Sequence, residues 1–190
     1  MTDDRLRDHD VRLSDGELVL RALTEADWDA LVVWALDAEV LFLGELDDVP
    51  ERTRGEVQAI VRQASQAGPC WMIELDGEPV GDIRLGALDT PRLLEARPDE
   101  TMWDLALALT PSRWGQQLGR RAARLACAHA FEALDADSVW VHLGDHNPRA
   151  LRMFYHLGFA DAGVQNLPSG GKAFRAYDLA LERERWERSR

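Results

Sequence analysis

One strand-helix-strand stretch constrains this chain more than any other feature. Met102 to Leu109 (MWDLALAL) reads as a buried strand, Gln116 to Leu134 as a long amphipathic helix, and Ser138 to Leu143 as a second strand. The middle piece repeats its apolar residues at helical spacing, whereas the flanking pieces are short apolar runs. Strand and helix are joined by Thr110-Pro111-Ser112-Arg113-Trp114-Gly115-Gln116-Gln117-Leu118-Gly119-Arg120-Arg121. The first N–H groups of a helix lack internal partners and sit at the positive end of its dipole, so such a turn is a ready anion site. Gly119 would let a ligand's pyrophosphate approach the backbone, and Arg120 and Arg121 add charge. Taken alone, the segment is equally a structural turn.

The rest of the chain supplies the partners this unit needs. Glu17 to Ala22 alternates as a half-buried strand, and Thr24 caps a helix running to about Leu36, with Asp27 at the capping-box position. Asp37 to Pro50 is acidic and irregular and reads as a loop. Thr53 to Ala67 puts Val57, Ile60, Val61 and Ala64 on one helical face, and Gly68-Pro69 ends it. Cys70 to Leu75 and Pro79 to Leu85 form a hairpin about Asp76-Gly77-Glu78. Leu88 to Glu100 is polar and proline-punctuated, a second expected loop. A helix from Pro148 to Leu157 ends at Gly158, and strands at Phe159 to Gln165 and Ala173 to Leu181 flank a turn at Pro168-Ser169-Gly170-Gly171.

The order β-α-α-β-β-β-α-β-α-β-β indicates an α/β (mixed α+β) fold, a mixed sheet covered by helices. At 190 residues, 46% of them hydrophobic, the chain can bury one good core. The expected organisation is a charged segment over 1–16, a single domain over 17–181 and a charged tail over 182–190, read as a solvated helical end.

Charge and cysteine usage narrow the partners. Acidic residues outnumber basic ones by 34 to 22, a formal charge of −12, which disfavours a nucleic-acid backbone or an anionic membrane. A cationic partner suits that field, although a negative surface also serves solubility alone. Cys70 and Cys127 sit in apolar surroundings and read as reduced core thiols. Met1 to Val11 lacks the apolar run of a signal peptide, and no uncharged stretch reaches membrane-spanning length. The cytoplasm is therefore the expected location.

Four segments carry a family resemblance. Gln116, Gly119 and Arg121 fall on Gln/Arg-x-x-Gly-x-Gly/Ala, the acyl-CoA motif of the GNAT superfamily, with Arg121 in place of the small last residue. Asn147-Pro148-Arg149-Ala150-Leu151-Arg152-Met153-Phe154-Tyr155-His156-Leu157-Gly158-Phe159 resembles that family's Asn-x-x-Ala to Gly-Phe segment. The opening Leu20 to Asp27 and the hairpin Asp76 to Gly81 are two further likenesses. Trp114-Gly115 with the preceding proline is similar to the RimJ/RimL-like ribosomal-protein acetyltransferases and the aminoglycoside 6'-N-acetyltransferases. Together these segments cover roughly Glu17 to Leu181.

The resemblance implies a GNAT-type acyl-CoA N-acyltransferase fold with a splayed central sheet flanked by helices. In it, the strand Met102 to Leu109 parts from Ser138 to Leu143 and the pantetheine arm of acetyl-CoA, the implied co-substrate, lies in the gap. Backbone groups of Leu107, Ala108 and Leu109 would bond the pantetheine and polarise the thioester carbonyl. The N–H groups of Gln116, Gln117, Leu118, Gly119, Arg120 and Arg121 would hold the pyrophosphate, and Asn147 would help position the acyl arm. No metal is implied, and homodimers are common in such a family.

Amine acetylation requires a neutral amine, a polarised carbonyl and a proton for the departing thiolate. Asp104 interrupts an otherwise apolar strand eleven positions before Gly115. It reads as base or ammonium anchor, or as a structural hydrogen-bonding group. The family's usual acid is a tyrosine four positions before the Gly of Gly-Phe, where this chain has Phe154. Tyr155 is the candidate beside it, but one residue along a helix turns a side chain by about 100°. Water is the alternative proton source, because a thiol is a fair leaving group. Trp34 and Trp103 could line an acceptor pocket, and Glu100, Asp145 and the acidic run Glu45, Asp47 and Asp48 are candidate anchors. His142 and His146, four apart on a strand and its following loop, share no helix face and read as chance neighbours and not as a metal pair. Ser169-Gly170-Gly171-Lys172 lacks Walker spacing and reads as a hairpin turn.

These features point to an N-acetyltransferase acting on a primary amine, carried by a small cationic molecule or a protein amino terminus. Two other readings stay open: a non-catalytic acyl-CoA-binding or sensory module, and an α/β module for some other nucleotide.

Overall fold

The computed structural model describes residues 5–44, 52–169 and 172–189. Gly16, at φ +58°, closes a tight turn that folds β1 (Leu13–Asp15) back on β2 (Leu18–Ala22). The charged amino-terminal segment therefore contributes an edge strand, and Leu6 before it is buried. Thr24 donates from both its backbone N–H and its hydroxyl to Asp27 Oδ2, each at 2.8 Å, the expected capping box. A 3₁₀ turn over Glu25–Asp27 leads into α1 (Trp28–Ala35).

The first expected loop is corrected: α2 (Ala38–Gly44) occupies its described part. Asp37 Oδ1 accepts the N–H groups of Glu39 and Val40, at 2.9 and 3.1 Å, which offsets the missing intrahelical bonds of a short helix start. Glu45, Asp47 and Asp48 lie outside the described residues. In α3 (Arg54–Ala67), Val57 and Val61 are buried as the periodicity predicts, whereas Ile60 is exposed at one edge of the apolar stripe.

β3 (Cys70–Leu75) and β4 (Glu78–Ala87) form the expected hairpin, its two turn residues Asp76 and Gly77 both at positive φ (+53° and +82°). That pairing of signs matches the twist of the strands it joins. The second expected loop is also corrected, since α4 (Pro91–Ala96) starts on a proline at its first turn and buries Leu93 against Leu88, Met102, Trp140 and Ala180.

The remaining elements are β5 (Met102–Leu109), α5 (Leu118–Ala133), β6 (Ser138–Gly144), α6 (Pro148–Leu157), β7 (Ala160–Ser169), β8 (Lys172–Glu182) and α7 (Arg183–Arg188). Gly158, at φ +101°, ends α6 as expected. Gly170 and Gly171, the tip of the expected final turn, lie outside the described residues. The terminal helix is not merely solvated: Trp186 is buried and stacks on Phe131 with ring centroids 5.5 Å apart.

The strands form one sheet in the order β1-β2-β3-β4-β5-β6-β8-β7. Every neighbouring pair is antiparallel except β5 and β6, which α5 joins in parallel. Side chains alternate across a strand, so Leu105 and Leu109 pack against α5 on one face while Met102 and Ala108 face the helices on the other. Cys70 and Cys127 are buried free thiols, each pushed up to about 12 by burial. None of the described helices is long and apolar enough to cross a membrane.

The parallel pair decides the architecture. β5 and β6 pair only at Met102 with Ser138, Trp103 with Val139 and Asp104 with Trp140. Beyond these, β5 continues beside β4 as far as Leu109, and β6 continues beside β8 as far as Gly144. The sheet opens like a V from Asp104 onward, the splay expected above.

Candidate active site

The opened edge of β5 and the turn that follows it form one half of a cleft. Alternate residues of Leu105–Leu109 present N–H and C=O groups to the space β6 has left. Trp114 Nε1 ties the turn back to Leu109 O at 2.9 Å. Gly115 at φ +78° and Gln117 at φ +61° then reverse the chain into α5. A non-glycine residue in the left-handed region costs free energy, and such residues concentrate at functional turns.

Because α5 begins at Leu118, its unpaired amides are those of Leu118, Gly119 and Arg120; the Arg121 N–H already donates to Gln117 O at 3.1 Å. A Cβ on Gly119 would sit 3.1 Å from Met153 Sδ and 3.3 Å from Leu107 Cδ2. Glycine here therefore lets α5, β5 and α6 close on one another.

This half has a volume of about 470 Å³ and runs from Leu107, Ala108 and Leu109 past Gln117–Arg120 to α6. Its lining carries Arg113, Arg120, Arg149, Arg152 and His156 and no carboxylate among the described residues, within a chain of net charge −12. The Arg149 guanidinium lies 4.9 Å over the Trp114 ring, which holds a flexible cation in place.

The second half, about 460 Å³, shares Leu107, Ala108, Asn147 and Met153 with the first and opens toward α1 and α3. Trp34 lies at its wall, donating from Nε1 to Asp82 Oδ1 at 2.7 Å, and Arg84 Nε donates to Asp82 Oδ2 at 2.8 Å. The buried Asp82 carboxylate is thus satisfied on both oxygens.

Asp104 sits where the strands part. Protein surrounds it, yet 39% of its side chain remains accessible through the cleft. Its Oδ1 is buried with no hydrogen-bond partner and lies 3.7 Å from His142 Nε2. Burial pushes the Asp104 carboxyl above the ordinary carboxylate range, with the His142 ring and the Leu105 N–H pulling the other way. His142 Nδ1 is 2.8 Å from Asp178 Oδ1. Asp178 is buried and also accepts from Arg92 Nη2 at 3.0 Å and Gln165 Nε2 at 3.2 Å.

The other candidates divide. Asn147 lies in the wall of both halves, but its amide is committed: Oδ1 caps α6 by accepting Ala150 N–H at 3.1 Å, and Nδ2 donates to Leu43 O at 3.0 Å. It fastens α2 over the cleft. Gln116 Nε2 turns back to Ser112 O at 3.2 Å. The Arg121 guanidinium leaves the cleft for Asp15 and Glu17, at 2.7 and 2.9 Å, which accounts for an arginine where the motif has a small residue.

Trp103, one position from Asp104, points to the opposite face and packs with the α5-side core against Gly68. Glu100 accepts from Arg97 Nε at 2.9 Å, Asp145 is exposed, and neither lines the cleft. Tyr155 also falls outside: it is 41% exposed, donates its hydroxyl to Asp161 Oδ1 at 2.5 Å and is pushed up to about 12 by that bond. Buried Phe154 faces the cleft instead, as the 100° helical step requires.

His142 is the residue that sequence reasoning passed over. Its signal was the alternation of β6, since Ser138, Trp140 and His142 share a face. Knowing that this is also Asp104's face requires the β5/β6 register.

A mixed sheet that parts beside a helix start, with a cation-lined cleft in the opening, defines the class of acyl-CoA N-acyltransferase folds. A family model described as an acetyltransferase (GNAT) domain matches residues 17–160, and the chain belongs to that family. Among solved structures, it is similar to an acetyltransferase (GNAT family) from Bacillus anthracis, with 15% identity and a TM-score of 0.75 over 92% of this chain and 99% of that one. It is equally similar to the spermidine N-acetyltransferase from Vibrio cholerae in complex with CoA and spermine, with 15% identity and a TM-score of 0.75 over 91% of this chain and 99% of that one. Such likenesses show the fold. No curated protein sequence matches the chain.

Proposed function

We propose that this protein transfers acetyl from acetyl-CoA to a primary amine, carried by a small cationic molecule or by a protein amino terminus. The observation that carries the reading is the opening between β5 and β6, with an anion site along one side and Asp104 at its apex. The residues present fit acetyl-CoA. The free amides of Leu118, Gly119 and Arg120, with Arg113, Arg120, Arg149 and Arg152 around them, suit a diphosphate. The open edge of β5 over Leu107, Ala108 and Leu109, where alternate residues face the gap, suits the amide-rich pantetheine arm. When bound, the co-substrate supplies the activated acyl group.

Gln117 shapes the helix start, Gln116 braces the turn, and Arg121 anchors the helix to β1 without touching phosphate. On the acceptor side, Asp104 receives the ammonium and Trp34 walls the pocket. Phe154 stands where the family's tyrosine would be, so the proton reaching the leaving thiolate comes through water. A cationic acceptor is favoured by the charge of −12. The likeness to RimJ/RimL-like and aminoglycoside enzymes rests on Trp114-Gly115 and keeps a protein amino terminus as the other acceptor class.

Phe154 and the outward Tyr155 favour one alternative, an acyl-CoA-binding sensory module. A thermal-shift measurement with CoA, followed by thiol release from acetyl-CoA with a panel of polyamines, aminoglycosides and peptides, separates the readings. Stabilisation by CoA with turnover on at least one amine is the expected result. Stabilisation without turnover selects the sensory module, and no stabilisation removes both.

A further inference from the structure

Resting on the acetyl-transfer reading, we propose that His142 takes the proton from the acceptor's ammonium group, with Asp178 holding its ring for that task and Asp104 anchoring the ammonium beside it. The three residues come from different strands, and only the splay puts them at one place.

His142 is two positions past Trp140, the last β6 residue paired with β5, so it stands on the opposite lip of the opening from Asp104. A group entering between the lips meets both. On β8, Asp178 is the direct cross-strand partner of His142. The 2.8 Å contact from Nδ1 to Asp178 Oδ1 assigns the ring proton of neutral His142 to Nδ1, since a carboxylate only accepts. That leaves the Nε2 lone pair facing the cleft. Arg92 and Gln165 on the other Asp178 oxygen keep that carboxylate from turning away.

Across the gap, Nε2 and Asp104 Oδ1 are two acceptors 3.7 Å apart, too far for a hydrogen bond, and Oδ1 has no donor at all. A buried acceptor without a donor costs free energy. An ammonium group carries three N–H donors and satisfies both acceptors at once.

The groups facing His142 are Asp104 from β5 and Asp178 from β8, with Arg92 of α4 behind Asp178, and Asp82, Arg84 and Arg52 elsewhere in the same half of the cleft.

The step balances. One ammonium proton passes to His142 Nε2, leaving a neutral amine whose lone pair forms the bond to the thioester carbonyl carbon. The C–S bond breaks, the nitrogen's second proton reaches the thiolate through water, and the imidazolium returns its proton to solvent. The products are the acetamide and the free thiol, with one proton released.

The test uses the full chain, acetyl-CoA and the best amine of the panel. We expect His142→Gln to lower kcat about 100-fold, the ordinary size of a general-base contribution, while the Kd for CoA stays within twofold. The acidic limb of the kcat/KM profile disappears in this variant, and added imidazole restores part of the rate. Asp178→Asn, a positioning change, lowers kcat about tenfold and displaces that limb without abolishing it. An NMR measurement on ¹⁵N-histidine-labelled protein finds neutral His142 protonated at Nδ1, whether or not any variant folds.

His142→Gln with kcat within threefold of the parent, or neutral His142 protonated at Nε2, overturns the assignment and leaves acetyl transfer standing. A parent protein that binds CoA and acetylates no amine overturns both together.

Discussion

The two halves of the cleft have nearly equal volumes, about 470 and 460 Å³, and opposite constructions. The half proposed for CoA, the CoA-side half, draws its central elements from one contiguous stretch, Leu107 to Arg120, and offers backbone amides and a rim of arginines. The acceptor-side half is assembled from single side chains on α1, β4, β5 and β6, namely Trp34, Asp82, Asp104 and His142, with Asp178 of β8 behind them. A backbone site tolerates many side chains as long as the turn keeps its shape. A side-chain site depends on each residue type and on the register that brings the residues together, so the two halves should respond differently to substitution.

Asp104→Asn should produce the largest effect, and on the acceptor side only: kcat/KM for the amine falls about 100-fold, mostly through KM, while CoA affinity is unchanged. Stability should move the other way. A carboxyl whose folded pKa is raised stabilises the fold below its unfolded pKa and loses that contribution as pH rises through the folded value. Ionised Asp104 is therefore a burden at neutral pH, and the amide removes it. Thermal unfolding should show Tm at neutral pH at or above the parent, with the difference shrinking at acidic pH. A variant that loses CoA binding as well would erase the division between the halves.

Gly119→Asp should do the reverse. The new carboxylate suits the first turn of α5 for stability but opposes a phosphate there, and its Cβ meets the pliable Met153 thioether. A roughly 30-fold weaker Kd for CoA is expected, about 2 kcal/mol, with KM for the amine little changed. Calorimetry that finds unchanged CoA affinity would remove the phosphate from α5.

Tyr155→Phe should have the smallest effect. It removes one exposed hydrogen bond to Asp161 and should leave kcat and KM within about twofold, since surface contacts of this kind contribute little. A tenfold fall in kcat would mean that α6 rotates on binding and brings the tyrosine inward.

Much of this division was visible before folding was considered. The bounds of β5, the Asp76-Gly77 turn, the Thr24 cap and the Gly158 stop all follow from contacts within a few residues. The CoA-side half belongs to the same category, because a helix start and its glycine are local features. Asp104 was legible as a lone acid in an apolar strand. The short helices α2 and α4 were not, since each owes its existence to one cap or one buried contact in a segment whose composition favours a loop. Trp186 was read with the charges around it, and only its stacking on Phe131 makes the last segment part of the core.

What the sequence alone determined is most of the longer elements, the turn and glycine that open α5, and the family resemblance. What tertiary structure decided is that β5 and β6 pair for three residues and then separate, and that His142 thereby comes to lie between Asp104 and Asp178. The physical reason is range. Caps, turns and periodicity are set by neighbours along the chain, whereas a meeting of residues 104, 142 and 178 exists only once strands far apart in sequence have chosen their register.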